Sequence, residues 1–210
     1  MTIQEQLEKA YLIPVVVMDD AARAVDAAQA LIAGGIGVME ITLRTEAALD
    51  SIEKVVKACP NLLVGGGTVL FLEQCRQVIS RGAKFIVSPG YEPDIVEYCQ
   101  KNNIMVIPGC VTPTEVTTAM RAGINIVKFF PANVYGGIKA IKTLSGPFPH
   151  IKFVPTGGVD INSLPEYIVP QVFAIGGGWL CDREMINDGD YDEITRVCKR
   201  SLEVVKKFKK

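Results

Sequence analysis

Residues 12–18, LIPVVVM, are followed after one aspartate by residues 20–33, DAARAVDAAQALIA. The first stretch is a short run of β-branched and other apolar residues without strict alternation, which is typical of a parallel strand buried on both faces. In the second stretch, apolar residues recur at the spacing of an amphipathic helix. Together the two stretches predict one strand-helix unit.

The same alternation continues to the end of the chain. Further apolar runs occupy residues 37–42, 62–64, 84–87, 104–107, 125–129, 151–154 and 172–175. Helical patterns occupy residues 45–57, 71–80, 93–101, 113–121 and 192–207. The runs recur at intervals of roughly 20 to 27 residues, about what a strand and its crossover helix need. Eight such units predict an α/β fold of the (β/α)8 TIM-barrel class, and an open doubly wound sheet is the alternative.

No linker or change of composition divides the chain, so residues 1–210 predict a single domain. Residues 1–10 predict an extra helix that caps the bottom of the barrel. Hydrophobic residues make up 49% and charged residues 21% of the sequence, which indicates a globular protein with a large core. The net charge of -1 provides no general attraction to nucleic acid or to anionic lipid, so neither is expected as a partner.

Cysteine and histidine content restricts the chemistry further. The six cysteines form no CxxC pair and predict free thiols, most of them buried, in a reducing cytoplasm. The N-terminal residues lack the pattern of a signal peptide, and no apolar run is long enough to span a bilayer. The sequence has one histidine, His150. A histidine-based metal site or a Ser-His-Asp triad would depend on it alone, so neither is expected. We therefore expect no metal and no cofactor.

A lysine interrupts the sixth apolar run, because residues 124–131 read INIVKFFP with Lys128 in the middle. One interpretation is an edge lysine, or one whose stem snorkels so that its ammonium reaches water. If the side chain points into the barrel, an unpaired ammonium is costly there and burial favours the neutral amine. A neutral amine can attack a carbonyl carbon, so Lys128 is a candidate nucleophile.

Polar residues also stand at the ends of the second and third runs. Glu40 and Arg44 bracket the end of the second, where a structural ion pair is the alternative to a functional role. Glu40 could transfer protons, and Arg44 could hold a substrate carboxylate through two parallel hydrogen bonds. The third run ends in GGGT, residues 65–68, where glycines allow a ligand to approach the backbone and Thr68 supplies a hydroxyl. A plain turn is the alternative there.

Glycine pairs follow the last two runs, as PTGG at residues 155–158 and GGGW at residues 176–179. Barrels of this class commonly bind phosphate at the loops after strands seven and eight, with backbone N–H groups and the N-terminus of a short helix. Two ordinary tight turns would not explain why both pairs fall at these strands. The combined features predict a phosphorylated substrate with a carbonyl and a carboxylate, and an amine nucleophile.

Ordered motifs across nearly the whole chain resemble those of the 2-keto-3-deoxy-6-phosphogluconate (KDPG) aldolases, a family that includes bifunctional 4-hydroxy-2-oxoglutarate (KHG) aldolases. The matching motifs are VMEITLRT (38–45), GGGTVL (65–70), FIVSPG (85–90), PGCVTPTE (108–115), VKFFPA (127–132), FVPTGGV (153–159) and AIGGGWL (174–180). Any single motif is weak, but the ordered set is specific.

The resemblance implies a cofactor-independent class I aldolase that reversibly cleaves KDPG to pyruvate and glyceraldehyde 3-phosphate, and a homotrimer. It implies that Lys128 forms the Schiff base and that Glu40 is the general acid and base. Arg44 and Thr68 would bind the pyruvate carboxylate. The other implied contacts are Pro89 and Phe130 in the pyruvyl pocket, Thr156 at a substrate hydroxyl, and Gly157, Gly158, Gly177 and Gly178 at the phosphate.

Two departures from the family pattern leave the substrate open. The family commonly has GAGT where this chain has GGGT at residues 65–68, from which we expect only a looser loop. Many members have serine where this chain has Gly178, and the lost hydroxyl would weaken phosphate binding by about 1 kcal/mol. KHG, an unphosphorylated substrate or a galactonate-derived epimer of KDPG is therefore an alternative main substrate.

Two other classes of function also remain at this point. A phosphate-binding barrel that catalyses isomerisation or epimerisation would use carboxylate or metal chemistry and would not need Lys128 in an apolar strand. A non-catalytic sugar-phosphate sensor would bind its ligand without releasing pyruvate. The presence of both Lys128 and Glu40 argues against the sensor.

Overall fold

The computed structural model describes residues 1–209, in which parallel strands alternate with helices. The strands are β1 Leu12–Val16, β2 Val38–Thr42, β3 Leu63–Gly67, β4 Phe85–Val87, β5 Met105–Ile107, β6 Ile126–Phe129, β7 Lys152–Pro155 and β8 Ile175–Gly177. The α-helices are α1 Ile3–Ala10, α2 Ala24–Ala33, α3 Ala48–Ala58, α4 Leu72–Ser80, α5 Pro93–Lys101, α6 Pro113–Arg121, α7 Gly137–Leu144, α8 Leu164–Tyr167, α9 Arg183–Asp188 and α10 Tyr191–Phe208. Short 3-10 helices cover Ala21–Arg23 and Gly178–Cys181.

The strands form a six-stranded sheet in the order β5-β4-β3-β2-β1-β8 and a separate pair, β6-β7, and every pairing is parallel. The backbone of Lys128 links the pair to β5, because its N–H donates to the Pro108 carbonyl (2.8 Å) and its carbonyl accepts from the Cys110 N–H (2.9 Å). On the other side, single bridges join Phe153 to Val172 and Thr156 to Gly176. The predicted α/β class with parallel strands is confirmed, and the main sheet is curled and has six strands.

Helix α1 begins with a capping box, in which the side chains of Thr2 and Glu5 each accept from the other's backbone N–H. Its Leu7 is fully buried. Ile3 lines a surface cavity with Leu63 and Lys84, at the beginnings of β3 and β4. The extra N-terminal helix predicted for residues 1–10 is thus present and lies at the N-terminal end of these strands.

Strands β3 and β8 lie further along the chain than predicted. β3 extends to Gly67 instead of ending at Val64, and β8 begins at Ile175 instead of Val172. Glycines that suggested loops are therefore paired strand residues. The physical reason is the crowding of large side chains inside a curled sheet, because a Cβ on Gly65 would lie 2.3 Å from the Phe85 ring.

The core is continuous around the sheets. Phe129 and Phe153 on β6 and β7 meet edge to face, with ring centroids 6.1 Å apart, in the arrangement that aromatic quadrupoles favour. All six cysteines are free, as predicted, and all six are buried. In the part of the chain from residue 1 to 209, no helix is both long and apolar enough to cross a membrane.

Candidate active site

A buried lysine and a buried glutamate face each other inside the curled sheet. Lys128 on β6 and Glu40 on β2 are each 3% exposed, and Lys128 Nζ lies 3.5 Å from Glu40 Oε1. Lys128 Nζ also lies 5.3 Å from the centroid of the Phe130 ring. The lysine is therefore neither at an edge nor snorkelling, and its amine is buried beside a group that can exchange a proton with it.

A glycine makes room for the Glu40 carboxylate. A Cβ on Gly67, in the neighbouring strand β3, would lie 2.1 Å from Glu40 Oε1 and 2.7 Å from its Cδ. Gly67 pairs in register with Thr42, whose hydroxyl donates to the Val16 carbonyl (2.8 Å). Gly67 was predicted to lie in a loop that a ligand approaches, whereas it is a strand residue that packs against Glu40.

Arg44 and Thr68 come together just beyond the ends of β2 and β3. Arg44 Nε donates to Thr68 Oγ1 over 3.3 Å, and Thr68 has a left-handed backbone with φ of 56°. The Leu43 N–H donates to the Gly67 carbonyl (2.8 Å), which continues the strand pairing up to this point. Arg44 is exposed, so its remaining N–H groups are free to bind an anion.

Pro89 approaches the lysine strand through a second glycine. A Cβ on Gly109 would lie 1.9 Å from the Pro89 carbonyl oxygen, and Gly109 forms a parallel bridge with Lys128. Nothing in the sequence pattern singled out Gly109. Its lack of a side chain is what lets the loop after β4 pack directly against the backbone beside the lysine.

The loop after β7 presents backbone groups beside Phe130. Gly157 and Gly158 have φ of 90° and 71°, conformations that favour glycine. A Cβ on Gly157 would lie 3.2 Å from the Phe130 ring, so this loop and the ring are in contact. Thr156 is buried, and its Oγ1 occupies the space left by Gly176, where a Cβ would lie 2.2 Å away.

The second glycine loop differs from its prediction in one respect. Gly177 is the last residue of β8 with an extended backbone, while the exposed Gly178 begins the 3-10 helix Gly178–Cys181. The ring of Trp179 fills the space above Gly177 and its Nε1 donates to Ser201 Oγ (3.1 Å), which fixes the start of the short helix. A Cβ on Gly178 would meet no heavy atom closer than 3.9 Å, so the position has room for serine.

A charged cluster that the sequence analysis missed ties the loop after β1 to α9. Arg183 donates to both Asp19 oxygens, from Nε over 2.7 Å and from Nη2 over 2.6 Å, and Asn187 Nδ2 donates to Asp19 over 2.8 Å. These bonds lower the pKa of Asp19 to about 2. Only the fold could reveal the cluster, since Asp19 is more than 160 residues away in sequence from both Arg183 and Asn187.

Cys110 lies beside Lys128 but has the character of a core residue. Burial, with a smaller contribution from Glu115, raises the pKa of its thiol to about 12. The thiolate is the nucleophilic form of cysteine, so this thiol is inert at neutral pH. Among residues 1–209 no group of three His, Cys, Asp or Glu side chains is arranged to hold a metal ion.

Comparison with known protein families agrees with the chemistry that the Lys128–Glu40 site indicates. The family described as KDPG and KHG aldolase matches residues 3–197. The chain belongs to this family. The 2-dehydro-3-deoxy-phosphogluconate aldolase of Treponema pallidum is 41% identical over 206 residues, which cover 98% of each chain.

Two solved structures of KDPG aldolases are also similar. The Legionella pneumophila enzyme, crystallised with pyruvate captured at low pH as a covalent carbinolamine, has a TM-score of 0.91 at 37% identity, covering 95% of this chain and 97% of its own. The Zymomonas mobilis enzyme, crystallised with 3-phosphoglycerate, has a TM-score of 0.87 at 34% identity, covering 95% and 94%. The KDPG/KHG aldolase fold is thus shared over nearly the whole chain.

Proposed function

We propose that this protein is a class I aldolase that cleaves KDPG to pyruvate and glyceraldehyde 3-phosphate. The observation that carries the proposal is the buried amine of Lys128, 3.5 Å from the buried carboxylate of Glu40 in a chain of this aldolase family. The pyruvate carbinolamine of the Legionella relative supports covalent chemistry at an amine.

In the proposed mechanism, the neutral amine of Lys128 attacks the C2 ketone of the substrate. Loss of water from the carbinolamine gives an iminium, whose cationic nitrogen accepts the electron pair of the C3–C4 bond. Glu40, directly or through a water, removes the C4 hydroxyl proton as that bond breaks. The enamine is then protonated at C3, and hydrolysis of the iminium releases pyruvate and restores Lys128.

The two ends of the substrate would bind on opposite sides of the lysine. Arg44 and Thr68 would receive the carboxylate, since their side chains already form a pair at one rim. Pro89 and Phe130 would line the pyruvyl pocket, and Thr156 would contact a hydroxyl. The phosphate would be bound by backbone N–H groups at the C-terminal ends of β7 and β8, which are those of Gly157, Gly158, Gly177 and Gly178.

Cleavage of KHG to pyruvate and glyoxylate is the second candidate activity. The exposed Gly178 favours it, because a serine there would offer a hydroxyl donor that glycine lacks. KHG has no phosphate, so its binding would not suffer from this loss.

We also infer that the curled sheet closes into a single-domain (β/α)8 barrel, and that the protein is a cytoplasmic homotrimer. The bridges from Lys128 to Gly109 and from Thr156 to Gly176 support closure, because they join the β6-β7 pair to both edges of the six-stranded sheet. The homotrimer and the cytoplasm rest on the family and on the reduced cysteines.

Pyruvate release from a panel of 2-keto-4-hydroxy acids tests the proposal. We expect the highest kcat/KM with KDPG, lower values with KHG and with the unphosphorylated analogue of KDPG, and no requirement for added metal. Lactate dehydrogenase coupled to NADH oxidation reports the pyruvate. Binding of KDPG without pyruvate release would instead indicate a sensor.

Replacing Gly67 with alanine is expected to lower kcat by about 10- to 100-fold, since displacements near 1 Å can be that costly. The added Cβ would overlap Glu40 Oε1 and push the carboxylate away from Lys128. Gly37→Ala is the matched control, because a Cβ at Gly37 meets no heavy atom within 4 Å. Steady-state kinetics of both variants check this, and wild-type kcat in folded Gly67→Ala would contradict the assigned position of Glu40.

A further inference from the structure

Asn133 lies where the loops after β6 and β7 meet. Beyond the last strand pair, the Ala132 N–H donates to the Thr156 carbonyl (2.8 Å) and the Asn133 N–H donates to the Gly157 carbonyl (3.2 Å). These two bonds extend the β6-β7 pairing into the loops. The backbone of Asn133 is therefore held in a fixed position against the glycine pair of the β7 loop.

The side chain of Asn133 packs directly over Gly158. A Cβ on Gly158 would lie 2.2 Å from Asn133 Cγ and 2.5 Å from its Nδ2, so the amide occupies the space that this glycine leaves open. The residue is exposed, and within residues 1–209 its amide donates no hydrogen bond to the protein. Two N–H donors are thus available at the rim of this loop.

We propose that Asn133 is a specificity-determining residue whose Nδ2 donates a hydrogen bond to the terminal phosphate of the substrate. The proposal rests on the proposed function, which brings the phosphate to the N–H groups of Gly157 and Gly158. Asn133 then adds a side-chain hydrogen-bond donor at the phosphate end of the site, where Gly178 has no side chain to donate one. Because the same loop leads directly from Lys128, one segment holds both the reacting carbonyl and the phosphate.

Asn133→Asp is the sharpest test, because it keeps the shape of the side chain and replaces the donor with a negative charge. We expect KM for KDPG to rise by about 10-fold or more through repulsion of the phosphate, with a small change in kcat. With the unphosphorylated analogue of KDPG, both constants should stay within about twofold of wild type. Asn133→Ala removes the donor together with the amide packed over Gly158, introduces no charge, and should raise KM for KDPG by about fivefold, the equivalent of one hydrogen bond.

Asn61→Asp is the matched control, since it makes the same charge change at an exposed asparagine beside the beginning of β3, at the other end of the strands. It should leave KM for both substrates unchanged. Equal losses on both substrates in Asn133→Asp and Asn133→Ala, or no loss on KDPG in either variant, would overturn the proposal. Failure of the wild-type protein to release pyruvate from any substrate would overturn the proposed function instead, so the two failures are distinguishable.

Discussion

Lys128→Ala should release pyruvate from KDPG at least about 10⁴-fold more slowly than the wild-type protein, because no other amine is expected to form the iminium. The variant also leaves the buried Glu40 carboxyl without its side-chain hydrogen-bond partner, which destabilises the fold. Lys128→Arg serves as a second variant, since arginine keeps a long basic side chain but its guanidinium is not a nucleophile at neutral pH.

Borohydride reduction in the presence of pyruvate measures the covalent step directly. In the wild-type protein, we expect one reduced pyruvyl adduct, which peptide mass spectrometry should locate on Lys128. Lys152→Ala is the matched control, because Lys152 is an exposed lysine on the neighbouring strand β7 and pairs in register with Ile126. It should form the adduct like wild type. An adduct in Lys128→Arg, or one on another lysine of the wild-type protein, would remove Lys128 from the mechanism.

Glu40→Gln should lower kcat by about 10² to 10⁴ while the borohydride adduct still forms, because the amide keeps the shape of the carboxylate but cannot carry the proton. The carboxylate lies close enough to Lys128 Nζ for a single water to connect it to substrate groups bound there. Stopped-flow measurement of pyruvate release, compared with the rate of adduct formation, separates the two steps.

Loss of the buried Lys128–Glu40 contact in Glu40→Gln also affects stability, so the folded fraction should be measured by thermal melting and used to normalise the rates. Glu203→Gln on α10 makes the same chemical change at an exposed position and should leave both rates unchanged. Full turnover in Glu40→Gln would exclude this carboxylate as the acid and base. If Glu40→Gln lost both adduct formation and turnover, the carboxylate would act in formation of the iminium rather than in cleavage.

The parallel α/β architecture was predictable because both faces of each strand are covered, which produces apolar runs without alternation. Helices α7, α8 and α9 were not predicted, and each has a local reason. α7 follows Gly136 and begins at Gly137, both with positive φ, and α8 and α9 span only Leu164–Tyr167 and Arg183–Asp188. Segments this short carry little periodicity.

At the site, residue types and motif order predicted which side chains to consider, but not how they meet. The Lys128–Glu40 contact joins residues 88 apart in sequence, and only the curl of the sheet brings them together. The glycine at 67 suggested a loop whose backbone a ligand could approach, yet it is a strand residue whose missing side chain leaves space for Glu40. Such roles depend on a neighbour's side chain across the sheet, which a single sequence does not reveal.

The backbone of Lys128 makes both hydrogen bonds of the link between the β6-β7 pair and the end of β5. Its main chain therefore stabilises the fold, while its side chain provides the reactive amine. Exchange of the side chain removes the amine and leaves both backbone bonds in place, whereas proline would remove the N–H donor as well. Position 128 is thus constrained in two independent ways, by its side chain and by its backbone N–H. A homologue without the aldolase reaction could replace the lysine, but it would still need a residue other than proline there.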